Sequence, residues 1–239
     1  SAASDVYKRQ TKILLSVERP PSLRVYDVTN SIACCIHTYP CSSAPYGVCY
    51  SGERMDKVYV SFGTRVEHYQ IEINGKVAIK KIETIELERQ MTAISRGSSV
   101  IVGRSNTEKM IYDSNFSIKR TATCRANSNP PFVSCSFKGN EQAFISNGID
   151  LVIVDENNKV VQNCFLPLLL ARGLAFDLQD NILVCMYPNK LRQIKHGGGE
   201  SRDIDLPGIQ KANNVVLHPT GEKMMVLGLE GNFCVYNVV

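Results

Sequence analysis

The sequence predicts an all-β protein folded as a six-bladed β-propeller whose first and last blades are incomplete. Three observations carry that expectation. Short runs rich in Val, Ile, Tyr and Phe are bounded by clusters of Gly, Asn, Asp, Pro or Ser, the signature of many short strands. Signals for helix starts and stops are nearly absent. The same order of runs also returns about every forty residues, and repeats of that length point to propeller blades.

Five units are explicit. They start at Pro45 ("PYGVCYSGERMDKVYVSFGTRVEHYQIEINGKV"), Met91, Phe132, Arg172 and Asn213, at successive separations of 46, 41, 40 and 41 residues. Each opens on a short apolar strand and a Gly- or Asp-bearing turn: "YSGERMD", "SRGSS", "FKGNE", "DLQDN", "HPTGE". A strongly apolar second strand follows, such as "KVYVSF", "NILVCM" or "KMMVLG", and then an alternating third, such as "RVEHYQI", "DLVIVD" or "NFCVYNV". Turns at Asn74-Gly75 and at Glu156-Asn157-Asn158 lead to a more polar fourth strand. Asn-Gly between alternating runs is a strong hairpin signal, because a tight primed turn needs positive φ at both central residues. No such blade buries its own faces, so stability must come from neighbours packed around a ring.

One period before Pro45 lies a first unit near residue 5, where "KILLSVERPPSLRVYDVTNSIACCIHTY" supplies second, third and fourth strands. A credible first strand is missing, so the first blade is expected either to be short of its innermost strand or to fill that place with residues 5–10, and the last unit stops after its third. The opening "SAASDVYKRQ" has neither apolar periodicity nor turn logic. Its ten residues match one reading frame of a transposase-type sequencing-library adapter, so residues 1–10 are expected to be non-native and residues 11–239 to be one propeller domain truncated at its amino end.

Size and composition bound the function. The 239 residues, 44% hydrophobic and 21% charged, bury a sizeable core. A net charge of +4 permits a nucleic-acid partner without arguing for one. Nine cysteines, an odd number without a CxxC pair, argue against a disulfide framework and for a reducing, cytoplasmic setting. Cys49, Cys124, Cys135, Cys164, Cys185 and Cys234 fall in strand-like runs and Cys34-Cys35 on a fourth strand, all expected as packing residues. The longest apolar run, Cys164 to Ala171, is far too short to cross a bilayer, and no membrane role is expected.

"LRVYDV" (residues 23–28), "PYGVCY" (45–50), "RGLAFDLQDNILVCMYPNKLRQI" (172–194) and "GIQKANNVVLHPTGEKMMVLG" (208–228) resemble NHL-like propellers within the wider NHL/WD40-like class. More narrowly, they resemble the carboxy-terminal propellers of invertebrate tripartite-motif (TRIM-like) proteins. The resemblance covers roughly residues 12–239. It departs from that pattern where an Asp-x-x-Asn-x-Arg cluster is usual between second and third strands: "YPNKLRQI" comes closest, whereas "SFGTRVEHY" and "SNGIDLVIV" differ. The resemblance implies a recognition platform for an upstream ubiquitin-ligase module, with any ligase activity and any coiled-coil oligomerisation residing upstream.

Propeller sites lie on strand-joining loops. On one face, the loops into first strands and those between second and third strands carry Tyr46, Arg65, Arg89, Arg104, Arg125, Phe132, Arg172, Tyr187, Lys190, Lys211, Asn213 and Asn214, with Glu108 and Glu230 among them. The first expectation is a non-catalytic domain that binds a protein through a few aromatic and Arg anchors, with no cofactor. The alternative is RNA held by basic loops with aromatic stacking. A third is a metal-dependent, lactonase-like hydrolase, for which Asn213 and Asn214 reach the channel but no carboxylate set accompanies them. His37, His68, His196 and His218 scatter over a fourth strand, a third strand, a loop after a third strand and a first-to-second turn, and do not converge on one ion. "NFS" at Asn115 matches a glycosylation acceptor pattern that a reducing compartment leaves idle.

Overall fold

The computed structural model describes residues 4–6, 12–28, 33–51, 56–96, 101–104, 108–123, 132–138, 141–146, 150–155, 157, 159–166, 171–217 and 221–238. Among them there is no helix, and the strands form six antiparallel sheets in chain order. The first holds β1 (Ser4–Val6), β2 (Lys12–Val17), β3 (Ser22–Asp27) and β4 (Cys34–Pro40). The second holds β5 (Gly47–Tyr50), β6 (Lys57–Ser61), β7 (Gly63–Asn74) and β8 (Lys76–Met91). The third holds β9 (Ala93–Arg96), β10 (Ile101–Arg104), β11 (Glu108–Tyr112) and β12 (Ile118–Thr123). β13 (Phe132–Lys138), β14 (Glu141–Ser146), β15 (Asp150–Val154) and β16 (Val160–Phe165) make the fourth. β17 (Ala171–Phe176), β18 (Ile182–Met186), β19 (Lys190–Ile194) and β20 (Ser201–Asp205) make the fifth. The sixth has three strands, β21 (Ala212–Leu217), β22 (Lys223–Gly228) and β23 (Phe233–Asn237), as the sequence leads one to expect.

The chain divides into two compact units. One comprises Ser1–Arg96, Val100–Ser105 and Lys109–Thr121, and so carries the first three sheets. The other carries the last three. In each unit the middle sheet has two apolar faces. Along β18, Ile182, Val184 and Met186 pack with Ile145, Leu151 and Ile153 of the fourth sheet. The intervening Leu183 and Cys185 pack with Val215, Met224 and Val226 of the sixth. The second sheet repeats the arrangement: Val58, Val60, Tyr69 and Ile71 join Leu14, Leu23 and Val25 of the first sheet. Its other face places Tyr59 and Val66 with Ile94, Ile101, Met110 and Tyr112 of the third. Successive strand residues point to opposite faces, so an unbroken apolar run such as "ILVCM" suits a strand covered on both sides. Each such side chain, fully buried, contributes about 1.5–3 kcal/mol.

Three expectations need correcting. The first sheet is not short of a strand: β1 pairs with β2, Ser4 opposite Leu15 and Val6 opposite Ile13. Ladder bonds use backbone groups alone, so a segment without strand-like composition completes an open edge. Cys34 and Cys35 are not packing residues but exposed ones. They lie on β4, the outermost strand, which presents its side chains to solvent whatever their polarity. Cys49 and Cys185 are buried as expected, Cys164 and Cys234 are half-buried, and of Cys135 on β13 only the backbone is described. Cys124 lies outside the described residues. The β7–β8 hairpin closes on Gly75 alone, at φ 76°, with Asn74 opposite Lys76. The even register sum of that ladder leaves an odd residue at the tip, so one left-handed residue suffices where two were expected.

Three turns share one device, visible in the sequence as Asp followed by four residues. Asp113 Oδ1 accepts from the backbone N–H groups of Asn115 and Ser117 (2.9 and 3.0 Å). Asp155 does the same for Asn157 and Lys159, both 2.9 Å, and Asp177 for Gln179 and Asn181 (2.9 and 2.8 Å). The fourth residue is left-handed at Phe116 (φ 59°) and Asp180 (φ 69°). Short polar side chains that bond their own backbone are what such turns require. Asp177 also accepts from Asn181 Nδ2 at 2.9 Å and Gln193 Nε2 at 2.6 Å, tying the turn to β19. Asp177→Ala is therefore expected to cost about 2–3 kcal/mol in urea unfolding and Asp155→Ala about 1 kcal/mol. Equal losses would show that the extra side-chain bonds of Asp177 contribute nothing.

Candidate interaction surface

In the second unit three loops are knitted together by backbone. The turn after β18 (Tyr187 to Asn189) presents the Pro188 carbonyl, which accepts from Lys211 N at 2.8 Å and Ala212 N at 2.9 Å. Leu206 N donates to Asn189 O, and Leu229 N to Lys211 O, each at 2.9 Å. This fixes Tyr187, Lys190, Lys211, Leu229 and Glu230 on one rigid platform. Tyr187 and Leu229 are 37% and 43% exposed there, an aromatic and an aliphatic side chain beside charge. Lys211 Nζ donates to Glu230 Oε1 at 2.7 Å, which holds the ammonium pKa above its ordinary value and the carboxyl below its own. Lys190 Nζ lies 3.9 Å from Asp205 Oδ1.

The starts of the first strands repeat one irregularity. Register shifts by one residue between Phe132 and Cys135, between Ala171 and Leu174, and between Ala212 and Asn214. Each is an extra residue on the first strand, a bulge that re-aims side chains near a sheet end. Phe132, Arg172 and Asn213 all lie in or at the edge of these bulges. Only the backbone of Phe132 and Arg172 is described. At Gly173 a Cβ would stand 2.4 Å from Asn214 Cα and 2.7 Å from the Asn213 carbonyl, so neighbouring first strands meet there with no room for a side chain. Asn214 Oδ1 accepts from Val215 N at 3.0 Å, which commits that oxygen to backbone.

In the first unit Tyr46 stands before β5, its N–H donating to Ser61 O at 2.9 Å. Its ring edge would be 3.8 Å from a Cβ at Gly63, whose φ is 85°. Arg65 is spent on structure. Its Nε donates to Glu67 Oε1 at 2.9 Å, its Nη2 to Ser42 and Ser43 Oγ at 3.0 and 2.9 Å, and its guanidinium lies 5.0 Å from the Phe62 ring centre. Glu67 is only 4% exposed. Burial pushes its pKa up, but hydrogen bonds from Tyr69 and Arg65, with the charges of Lys81 and Arg65, bring it below the ordinary value. Tyr69 moves the other way, raised by burial and by its bond to Glu67. The Cys41 thiol is pushed up to about 11, by burial first and then by Glu67.

The candidates therefore separate. Tyr187, Lys190 and Lys211 come together, Asn213 and Asn214 sit on the adjoining strand, and Tyr46 and Arg65 belong to the other unit. Arg89, expected in a loop, is an exposed residue within β8. That strand runs on to Met91 because nothing in "ETIELERQM" breaks an extended chain, and Thr92 alone joins it to β9. Arg104 ends β10 with only its backbone described, and Arg125 lies outside the described residues. His37 and His68 fall on β4 and β7, His196 follows β19, and His218 lies outside the described residues. No group of three or more His, Cys, Asp or Glu able to hold a metal occurs among the described residues. One cluster has no local sequence signal: Ser51, His68 and Glu83 are joined by hydrogen bonds across the second sheet. Only strand register, worked out from the turn and bulge positions, brings them together.

No protein-family model and no curated protein matches the sequence. Solved structures do resemble it. The WD40 β-propeller domain of Doa1 aligns with a TM-score of 0.66 at 12% identity, over 96% of this chain and 90% of that one. The WD40 domain of Neurospora crassa Pan2 aligns with a TM-score of 0.64 at 12% identity, over 95% of this chain and 72% of that one. The fold is that of a β-propeller.

Glu67 gives this region a pH dependence. Its folded pKa is depressed, so the stability it contributes is present above its unfolded value of about 4.3 and is lost as pH falls through the lower, folded value. Wild type is expected to lose stability below about pH 4, and Glu67→Gln to show a shallower acid limb with lower stability at neutral pH. Chemical unfolding across pH checks this. Parallel acid limbs would show that Glu67 is not the titrating group.

Proposed function

We propose that this chain is a recognition propeller that binds a protein partner through the surface built by Tyr187, Lys190, Lys211 and Glu230. The observation that carries the reading is the exposed Tyr187 and Leu229 on a platform fixed by backbone bonds and rimmed by ion pairs. Protein hot spots have that composition, an aromatic anchor with polar groups around it. A phosphate backbone asks for something else, a run of uncompensated cations. Among the candidate cations whose side chains are described, Arg65, Lys190 and Lys211 each face a carboxylate. The resemblance of residues 12–239 to tripartite-motif propellers favours placing this surface downstream of a ubiquitin-ligase module. In that setting residues 11–239 act as one cytoplasmic recognition domain.

Replacement of Tyr187 by a photo-crosslinking phenylalanine analogue tests the reading in cells. A discrete protein adduct that weakens when Lys211→Glu is added is expected. An RNA adduct, or a protein adduct indifferent to Lys211→Glu, would overturn it.

A further inference from the structure

The three hydrogen-bonded side chains of the second sheet have the arrangement of an activated serine. Ser51 follows β5, and its Oγ lies 2.8 Å from His68 Nε2. His68 Nδ1 lies 3.1 Å from Glu83 Oε1 on the next strand. An ionised carboxylate accepts only, so Nδ1 must carry the proton, and Nε2 of the neutral ring is left to accept from the Ser51 hydroxyl. That is the tautomer a general base needs, with its ring oriented by a third group. The ring is also held by Tyr59, whose centroid is 4.6 Å away.

A bulge delivers the carboxylate. Tyr69 pairs with Lys81 and Gln70 with Lys80, a register that, continued, sets Ile82 opposite His68. The ladder shifts there by one residue, so Glu83 faces His68 and Ile82 turns outward, 46% exposed. The His68 side chain is 12% exposed and that of Glu83 52%, so the cluster opens to solvent on the Glu83 side.

We propose that Ser51, His68 and Glu83 form a nucleophilic site for carboxylic esters and related phosphonyl electrophiles, an activity separate from partner binding. Ser51 Oγ bonds to the acyl carbon while its proton passes to His68 Nε2. The ester C–O bond breaks, the alcohol leaves with that proton, and water then releases the acid from Ser51. Glu83 acts as a positioning residue through His68.

A fluorophosphonate probe tests this on the full chain. There the Ser51 oxygen displaces fluoride from phosphorus, and the hydroxyl proton leaves through His68. Peptide mass spectrometry is expected to place the label on Ser51 and to lose it in Ser51→Ala. His68→Gln should slow labelling by about 10²-fold or more, and Glu83→Gln by about tenfold. In wild type, Ser51 should be labelled faster than every other serine of the chain, a comparison that decides the matter if a variant fails to fold. Glu83→Asp should restore part of the rate lost in Glu83→Gln, which a merely structural role would not give. No label at Ser51, a rate unchanged in folded His68→Gln, or labelling of Ser51 no faster than of the other serines would each overturn the proposal.

Discussion

Everything in this molecule depends on a sheet with two apolar faces finding cover for both. β18 is buried along its whole length, and β6 along all but its first residue. A strand of that kind is insoluble on its own and is stable only between two neighbours. In each unit the middle sheet has those neighbours, and its alternate residues join different clusters: Ile182 and Val184 one, Leu183 and Cys185 another. The outer strands carry no such demand. β4, β16 and β20 are mostly exposed, which frees them to hold cysteines, valines or charge without loss of fold.

That division of labour explains where function collects. The second and third strands are committed to packing, so the side chains left for other contacts lie in the turns and at the starts of first strands. The platform of Tyr187, Lys211 and Glu230 is three such turns locked by Pro188 O and Lys211 O. A surface held by backbone bonds loses little entropy on binding, which suits recognition. Ser51, His68 and Glu83 arise differently. They lie on the face shared with Tyr59 and Val66, at the end where packing gives way to solvent.

The propeller fold was legible in the sequence because a forty-residue period and unbroken apolar second strands follow from packing alone. The Asp-led turns at Asp155 and Asp177 were legible too, because a short acceptor beside Asn or Gly bonds its own backbone. What was not legible depends on registers between strands. The bulges at Arg172, Gly173 and Asn213 leave no local mark, since an extra residue on a strand looks like any other. Glu83 meets His68 only through such a shift. Cys34 and Cys35 misled for a related reason: apolarity predicts burial for an inner strand, and nothing in "CCIH" says that β4 is the outermost. The pairing of Ser4–Val6 with β2 was hidden because a ladder asks for backbone, not composition.

The most direct test of the two-faced sheet compares adjacent residues of one strand. Ile182 packs towards the fourth sheet and Leu183 towards the sixth, so Ile182→Ala and Leu183→Ala should each cost about 2–5 kcal/mol in urea unfolding. Val161→Ala, on the exposed side of β16, should stay within about 0.5 kcal/mol. If either Ile182→Ala or Leu183→Ala costs no more than Val161→Ala, that face of the sheet is not covered, and the sandwiched sheet is not what stabilises the fold.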